Sequence, residues 1–137
     1  MPSKRNRIII DTNLWISFLL TRDHLALDKI FSASNSILLF SEELLEEFIE
    51  VANRPKFKKY FSLKDLQEII IQIKVHGEFI DVKSSTIICR DPKDNFLLSL
   101  SKDGNATHLI SGDKDLLDLK RFGRTKIVTL KKYLSEL

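Results

Sequence analysis

Three isoleucines run into an acid in "IIIDTN", and the strand they imply ends on Asp11 and Asn13, where a glycine turn would be ordinary. Three further segments carry carboxylates: the glutamates of "SEELLEEFIEV", Asp91 and Asp94 in "DPKDN", and Asp113 and Asp115 in "SGDKD". Carboxylates gathered at one point repel, and some must take up protons at neutral pH unless a cation neutralises them. The donors are hard oxygens with no histidine or cysteine inside these motifs. That donor set selects Mg²⁺ or Mn²⁺ over zinc. A divalent ion so held activates water and stabilises charge on a leaving oxygen, which suits hydrolysis of a phosphodiester.

The four segments have to be delivered to one place. Apolar patterning predicts strands at 7–10, 36–40, 78–82, 107–111 and 126–130. Helices are predicted at 13–20, 23–33, 41–53, 62–76, 94–102 and 114–120, with one more closing the chain. Segment 84–89 reads as strand or loop. Ser41 caps the third helix, with Glu42 and Glu43 in its first turn where the helix dipole favours negative charge, and Pro55 stops it. Gly77 and Gly104 end two others. Strands alternating with helices at this spacing need crossover connections. The expectation is an α/β fold, a three-layer α/β/α sandwich around a mainly parallel sheet, in a single domain spanning residues 1–137. Ligands of such sheets bind beyond the carboxyl ends of the strands, and all four acidic segments fall at that edge.

Each acid also has a plainer use. An aspartate at a strand end or helix start commonly caps, which is the ordinary use of a residue such as Asp94, and glutamates on a helix are commonly solvated. The coincidence of four segments at one edge is what caps alone do not require. At about 100° per residue, Leu44, Leu45, Phe48, Val51 and Ala52 form an apolar stripe, with Glu43, Glu46 and Glu50 opposite. Glu42 and Glu47 both flank that stripe, and periodicity does not choose between them.

Composition narrows the setting. The chain is 43% hydrophobic and 30% charged, with four Gly and three Pro, the profile of a globular, helix-rich domain. Cys89 is the only cysteine, so neither an intramolecular disulfide nor a cysteine-based metal site can form. With no signal-peptide core and no apolar run of membrane-spanning length, a cytoplasmic protein without membrane contact is expected. Net charge is only +3, so placement matters more than the total. "RPKFKKYF" sets Arg54, Lys56, Lys58 and Lys59 among Phe57, Tyr60 and Phe61, a mix able to hold phosphates and stack bases. Phe57 and Phe61, spaced i, i+4, equally suit a core. Six basic residues and no acid lie between 120 and 132. His24, His76 and His108 are scattered and read as structural, Trp15 and Phe18 as core or dimer interface, and "SLS" at 99–101 lacks a histidine partner for a serine nucleophile.

Taken together, "IIIDTN", "LLFSEELLEEFIEV" and "DPKDNFLLSLSKDGNATHLISGDKDLL" resemble the PIN-domain nucleases, in particular the toxins of type II toxin-antitoxin modules, over nearly the whole chain in order. The resemblance implies that Asp11, Glu47, Asp94 and Asp113 are the metal-binding and catalytic acids, which would select Glu47 over Glu42. Asn13 and Ser111 match polar positions that orient ligands or phosphate, and Asp91 and Asp115 stand beside the acids as supporting residues. It further implies a Mg²⁺- or Mn²⁺-dependent ribonuclease, frequently a homodimer and often restrained by a small antitoxin protein; relatives also process RNA without one. Two other readings compete. A phosphatase using Asp11 as nucleophile is weakened by Asn13 where a second aspartate is usual, and a non-catalytic acidic groove would bind a basic peptide.

Overall fold

The computed structural model describes residues 5–21, 25–33 and 36–137. The elements run β1 (Arg7–Ile10), α1 (Thr12–Thr21), α2 (Leu25–Ala33), β2 (Ile37–Phe40), α3 (Glu42–Ala52), α4 (Pro55–Lys58), α5 (Leu63–His76) and β3 (Gly77–Phe79). Then follow α6 (Pro92–Asp103), β4 (His108–Ile110), α7 (Lys114–Leu119), β5 (Arg121–Phe122), β6 (Thr125–Val128) and α8 (Leu130–Ser135). The strands form one sheet in the order β3-β2-β1-β4-β6-β5, parallel except for the antiparallel β5–β6 hairpin.

Successive residues of a strand point to opposite faces. Ile8, Ile9 and Ile10 are nonetheless all fully buried, as are Leu38, Leu39 and Phe40, so helices cover both faces and the α/β/α sandwich is the architecture observed. Trp15 of α1 anchors one layer, its ring lying 5.8, 5.6 and 6.1 Å from those of Phe18, Phe40 and Phe48. This packing seats α3 against α1. From β1 the chain steps outward to β2 and β3, then returns through α6 to β4 on the other side of β1. The strand order therefore reverses between β1 and β4, and a crevice opens beyond the carboxyl ends of those two strands.

Several boundaries differ from the sequence expectation. The predicted strand 78–82 is confined to Gly77–Phe79, and 84–89 is a loop. Side chains of α6 explain both, because they satisfy backbone groups that a sheet neighbour would otherwise take. Asp103 accepts from the N–H groups of Lys83 and Ser84 at 2.6 and 2.8 Å. Asn95 accepts from Ile88 and Cys89 at 2.9 and 2.7 Å and donates to the Cys89 carbonyl at 2.9 Å. The last strand ends at Val128 rather than 130, since the Thr129 side chain accepts from the Lys132 N–H at 3.2 Å and starts α8. Pro55 does end α3, yet it also opens the short α4 as that helix's first residue. The two-residue strand β5 was not expected; Gly123, at φ +58°, makes the tight turn that pairs it with β6. Of the second predicted helix, Asp23 and His24 lie outside the described residues. Among the described residues, no helix is long and apolar enough to cross a membrane.

Candidate metal centre

Asp11 leaves the end of β1, and its N–H bonds the Ile110 carbonyl at 3.0 Å, tying it to the end of β4. The Ser111 hydroxyl, just past β4, donates to Asp11 Oδ2 at 2.8 Å and accepts from the Asp113 N–H at 3.0 Å. One side chain thus sets two acids in relation. Asp113 is the N-cap of α7, its Oδ1 accepting from the N–H groups of Asp115 and Leu116 at 2.8 and 3.4 Å. On α3, Glu47 Oε2 accepts from the Thr12 hydroxyl at 3.0 Å, and Oε1 pairs with Lys93 Nζ at 3.1 Å. Glu42, the alternative, is exposed and lies off the cavity lining.

The role expected of Asp94 as a cap is taken by Asp91, whose Oδ1 accepts from the Lys93 N–H at 2.9 Å and which starts α6 two residues earlier than predicted. Asp94 is thereby released. It is only 4% exposed, and its Oδ2 is buried with no hydrogen-bond partner among the described residues. Buried polar atoms are almost always partnered, so an orphaned carboxylate oxygen calls for a ligand.

Asp11, Glu47, Asp91, Asp94 and Asp113 all line one cavity of about 170 Å³, together with Asn13. Carboxylate oxygens of Asp94, Asp113 and Asp115 also lie within 4.8 Å of one another. Burial, followed by the charges of Asp113, Asp91, Asp11 and Asp115, pushes the Asp94 carboxyl up to about 6. Burial likewise raises Asp11, against the hydrogen bond from Ser111 and the N–H of Asn13 that favour its charged form. Both shifts report the same frustration: negative charge desolvated without a counter-ion. A hard divalent cation relieves it, and an all-oxygen donor set with an unpartnered buried oxygen fits Mg²⁺ or Mn²⁺.

Residues 7–115 match the family model described as PIN domain. The chain belongs to the PIN-domain family. No curated protein matches it. PIN domains are in general nucleases that use divalent metals, and the carboxylate cluster such chemistry needs is present in this one.

Within this PIN domain, the supporting residues divide. Ser111 braces Asp11, whereas the side chain of Asp115 is engaged by Arg90, whose Nη2 lies 3.1 Å from both carboxylate oxygens. Of the four cations proposed for RNA, Arg54 and Lys56 line the cavity; Lys58 and Lys59 do not and are exposed. Lys56 and Lys59 sit over the rings of Phe57 and Tyr60, at 4.9 and 5.3 Å. Phe57 and Phe61 are half-buried against the core. Two members of the site escaped the sequence reading, Thr12 and Lys93, which together hold Glu47. Both lie inside the quoted motifs, but only the approach of α3 to β1 and α6 reveals what they do.

Proposed function

We propose that this PIN domain is an endoribonuclease that hydrolyses RNA phosphodiester bonds with Mg²⁺ or Mn²⁺ held by Asp11, Glu47, Asp94 and Asp113. The observation that supports the reading most is the buried, unpartnered Oδ2 of Asp94 in a cavity shared with the other three acids. When bound there, a divalent ion supplies Lewis acidity toward water and the phosphate oxygens. The protein's own groups do the rest. Ser111 fixes the rotamer of Asp11, while Thr12 and Lys93 hold Glu47 from two sides. An acidic cavity repels RNA, and Arg54 and Lys56 on its lining offset this by drawing the backbone in. Phe57, on the same lining, offers an aromatic surface to a base.

The test is cleavage of a mixed pool of labelled RNA with Mn²⁺, Mg²⁺ or EDTA, run beside Asp94→Asn. Metal-dependent cutting that vanishes in the variant supports the proposal, and cutting that survives EDTA overturns it. The narrower form of the reading is a toxin that acts as a homodimer and is restrained by a small antitoxin. Growth arrest on expressing the wild type but not Asp94→Asn tests the toxin role, and sedimentation equilibrium tests the dimer.

A further inference from the structure

The opposite edge of the sheet, where the strands begin, carries charge of the other sign. Arg5 precedes β1 and Arg7 opens it, His108 opens β4, and Arg124 and Lys126 flank the start of β6; these residues line an open groove of about 500 Å³ with no acid on its walls among the described residues. Arg7 is engaged, pairing with Glu78 and donating through Nε to the Gly104 carbonyl at 2.8 Å. The side chains of Arg5, Arg124 and Lys126 have no ion-pair or hydrogen-bond partner among the described residues. Strand register adds a second sign. Arg121 stands directly opposite Lys126 in the β5–β6 hairpin, and like charges placed so disfavour the pairing. Lys126 is also level with His108 across the β4–β6 ladder, and burial followed by the Lys126 charge holds that imidazole below its ordinary value, outweighing the opposing charge of Glu136. Positive charge is therefore gathered here against local cost, and a polyanion laid in the groove would offset it.

We propose that this groove is a second RNA site, which holds the phosphate backbone of nucleotides flanking the segment that enters the acidic cavity. The inference rests on the endoribonuclease reading above. Arg7 and Asp11 are separated along β1 by roughly 13 Å at 3.3 Å per residue, so one strand can reach both edges only by passing around the sheet. Only a long RNA can therefore occupy the groove and the acidic cavity together, whereas a short one occupies one of them at a time.

Binding in EDTA, followed by fluorescence anisotropy across a range of salt, tests this with single-stranded RNAs of about 6 and about 30 nucleotides. The wild type is compared with Arg124→Ala/Lys126→Ala and with Lys64→Ala/Lys74→Ala, which removes the same charge from exposed positions of α5 that lie off the groove lining. The wild type should bind the long RNA more tightly and with a steeper salt dependence than the short one. In the groove variant that slope should fall by about 1.4, two phosphates at about 0.7 each, which is about a sevenfold difference accumulated over a fourfold rise in salt. The α5 variant should keep most of the slope, and melting curves should show both variants folded. Three results overturn the inference: no advantage of length in the wild type, an unchanged slope in the groove variant, or an equal loss in both variants. If the wild type neither binds nor cuts RNA of either length, the endoribonuclease reading falls and the groove's role falls with it.

Discussion

Asp94 shows how an acid becomes available for chemistry. Asp91 occupies the capping position, so the carboxylate three residues on is carried into the cavity and left without a donor. On the proposed assignment of Asp94 as a direct metal ligand, Asp94→Asn should lower metal-dependent cleavage by at least about 100-fold, more than the 10- to 100-fold typical of a ligand's outer supports. Without metal the same change should cost little, because it removes a repelled charge; a melting temperature in EDTA no lower than wild type is expected. The pH dependence follows from the same shift. The carboxyl is raised from an ordinary 3.8 to about 6 in the folded state, so between those values the native protein binds more protons than the unfolded chain. Its contribution to stability is present below pH 4 and is lost as pH rises through 6. In EDTA the urea midpoint of the wild type should therefore drop across that window, and Asp94→Asn should flatten the drop; an identical slope in the two proteins would remove Asp94 as its cause.

Elements inherit their placement from a few polar interactions. Ser41 is fully buried and its hydroxyl accepts from the Leu44 N–H at 3.1 Å, fixing where α3 begins and hence which turn carries Glu47 into the cavity. Ser41→Ala should cost about 1 kcal/mol, read as a lower urea midpoint with unchanged slope. This start was legible, since a serine before two glutamates and an apolar stripe is a strong local signal. So were β1 and β2, whose apolar runs need no tertiary information. What the sequence hid depends on the meeting of distant segments. The loop 84–89 has residues fit for a strand, such as Thr86, Ile87 and Ile88, and is kept from pairing by Asn95 and Asp103, which lie on a different element. The β5 strand is only two residues long, too short for any period, and exists because Gly123 can take a positive φ. The choice between Glu42 and Glu47 was likewise beyond periodicity, because it depends on Thr12 and Lys93 meeting α3.

On the scale of the whole molecule, the fold acts as a device for separating charge. Acids collect where the order of strands reverses, at the carboxyl ends of β1 and β4, while cations collect at the amino ends of the same sheet. Net charge of +3 conceals both. Folding in the absence of metal must hold desolvated carboxylates together, and binding returns that free energy. An ion at 100 times its dissociation constant adds about 2.7 kcal/mol, so Mn²⁺ should raise the melting temperature of the wild type and leave that of Asp94→Asn nearly unchanged. The proposed function gives the cations near the acids a different task, one that can be separated from metal binding. Arg54 and Lys56 line the cavity, and Arg54 is only weakly engaged, with Glu50 at 3.6 Å. Arg54→Ala/Lys56→Ala should therefore leave the Mn²⁺-induced rise in melting temperature intact. Affinity for even a short RNA should fall, and its salt slope should drop by about 1.4, because two phosphates are no longer neutralised. A variant in which the Mn²⁺ effect disappears as well would mean that these side chains support the acids themselves, and the division of labour between metal-holding and backbone-holding residues would have to be redrawn.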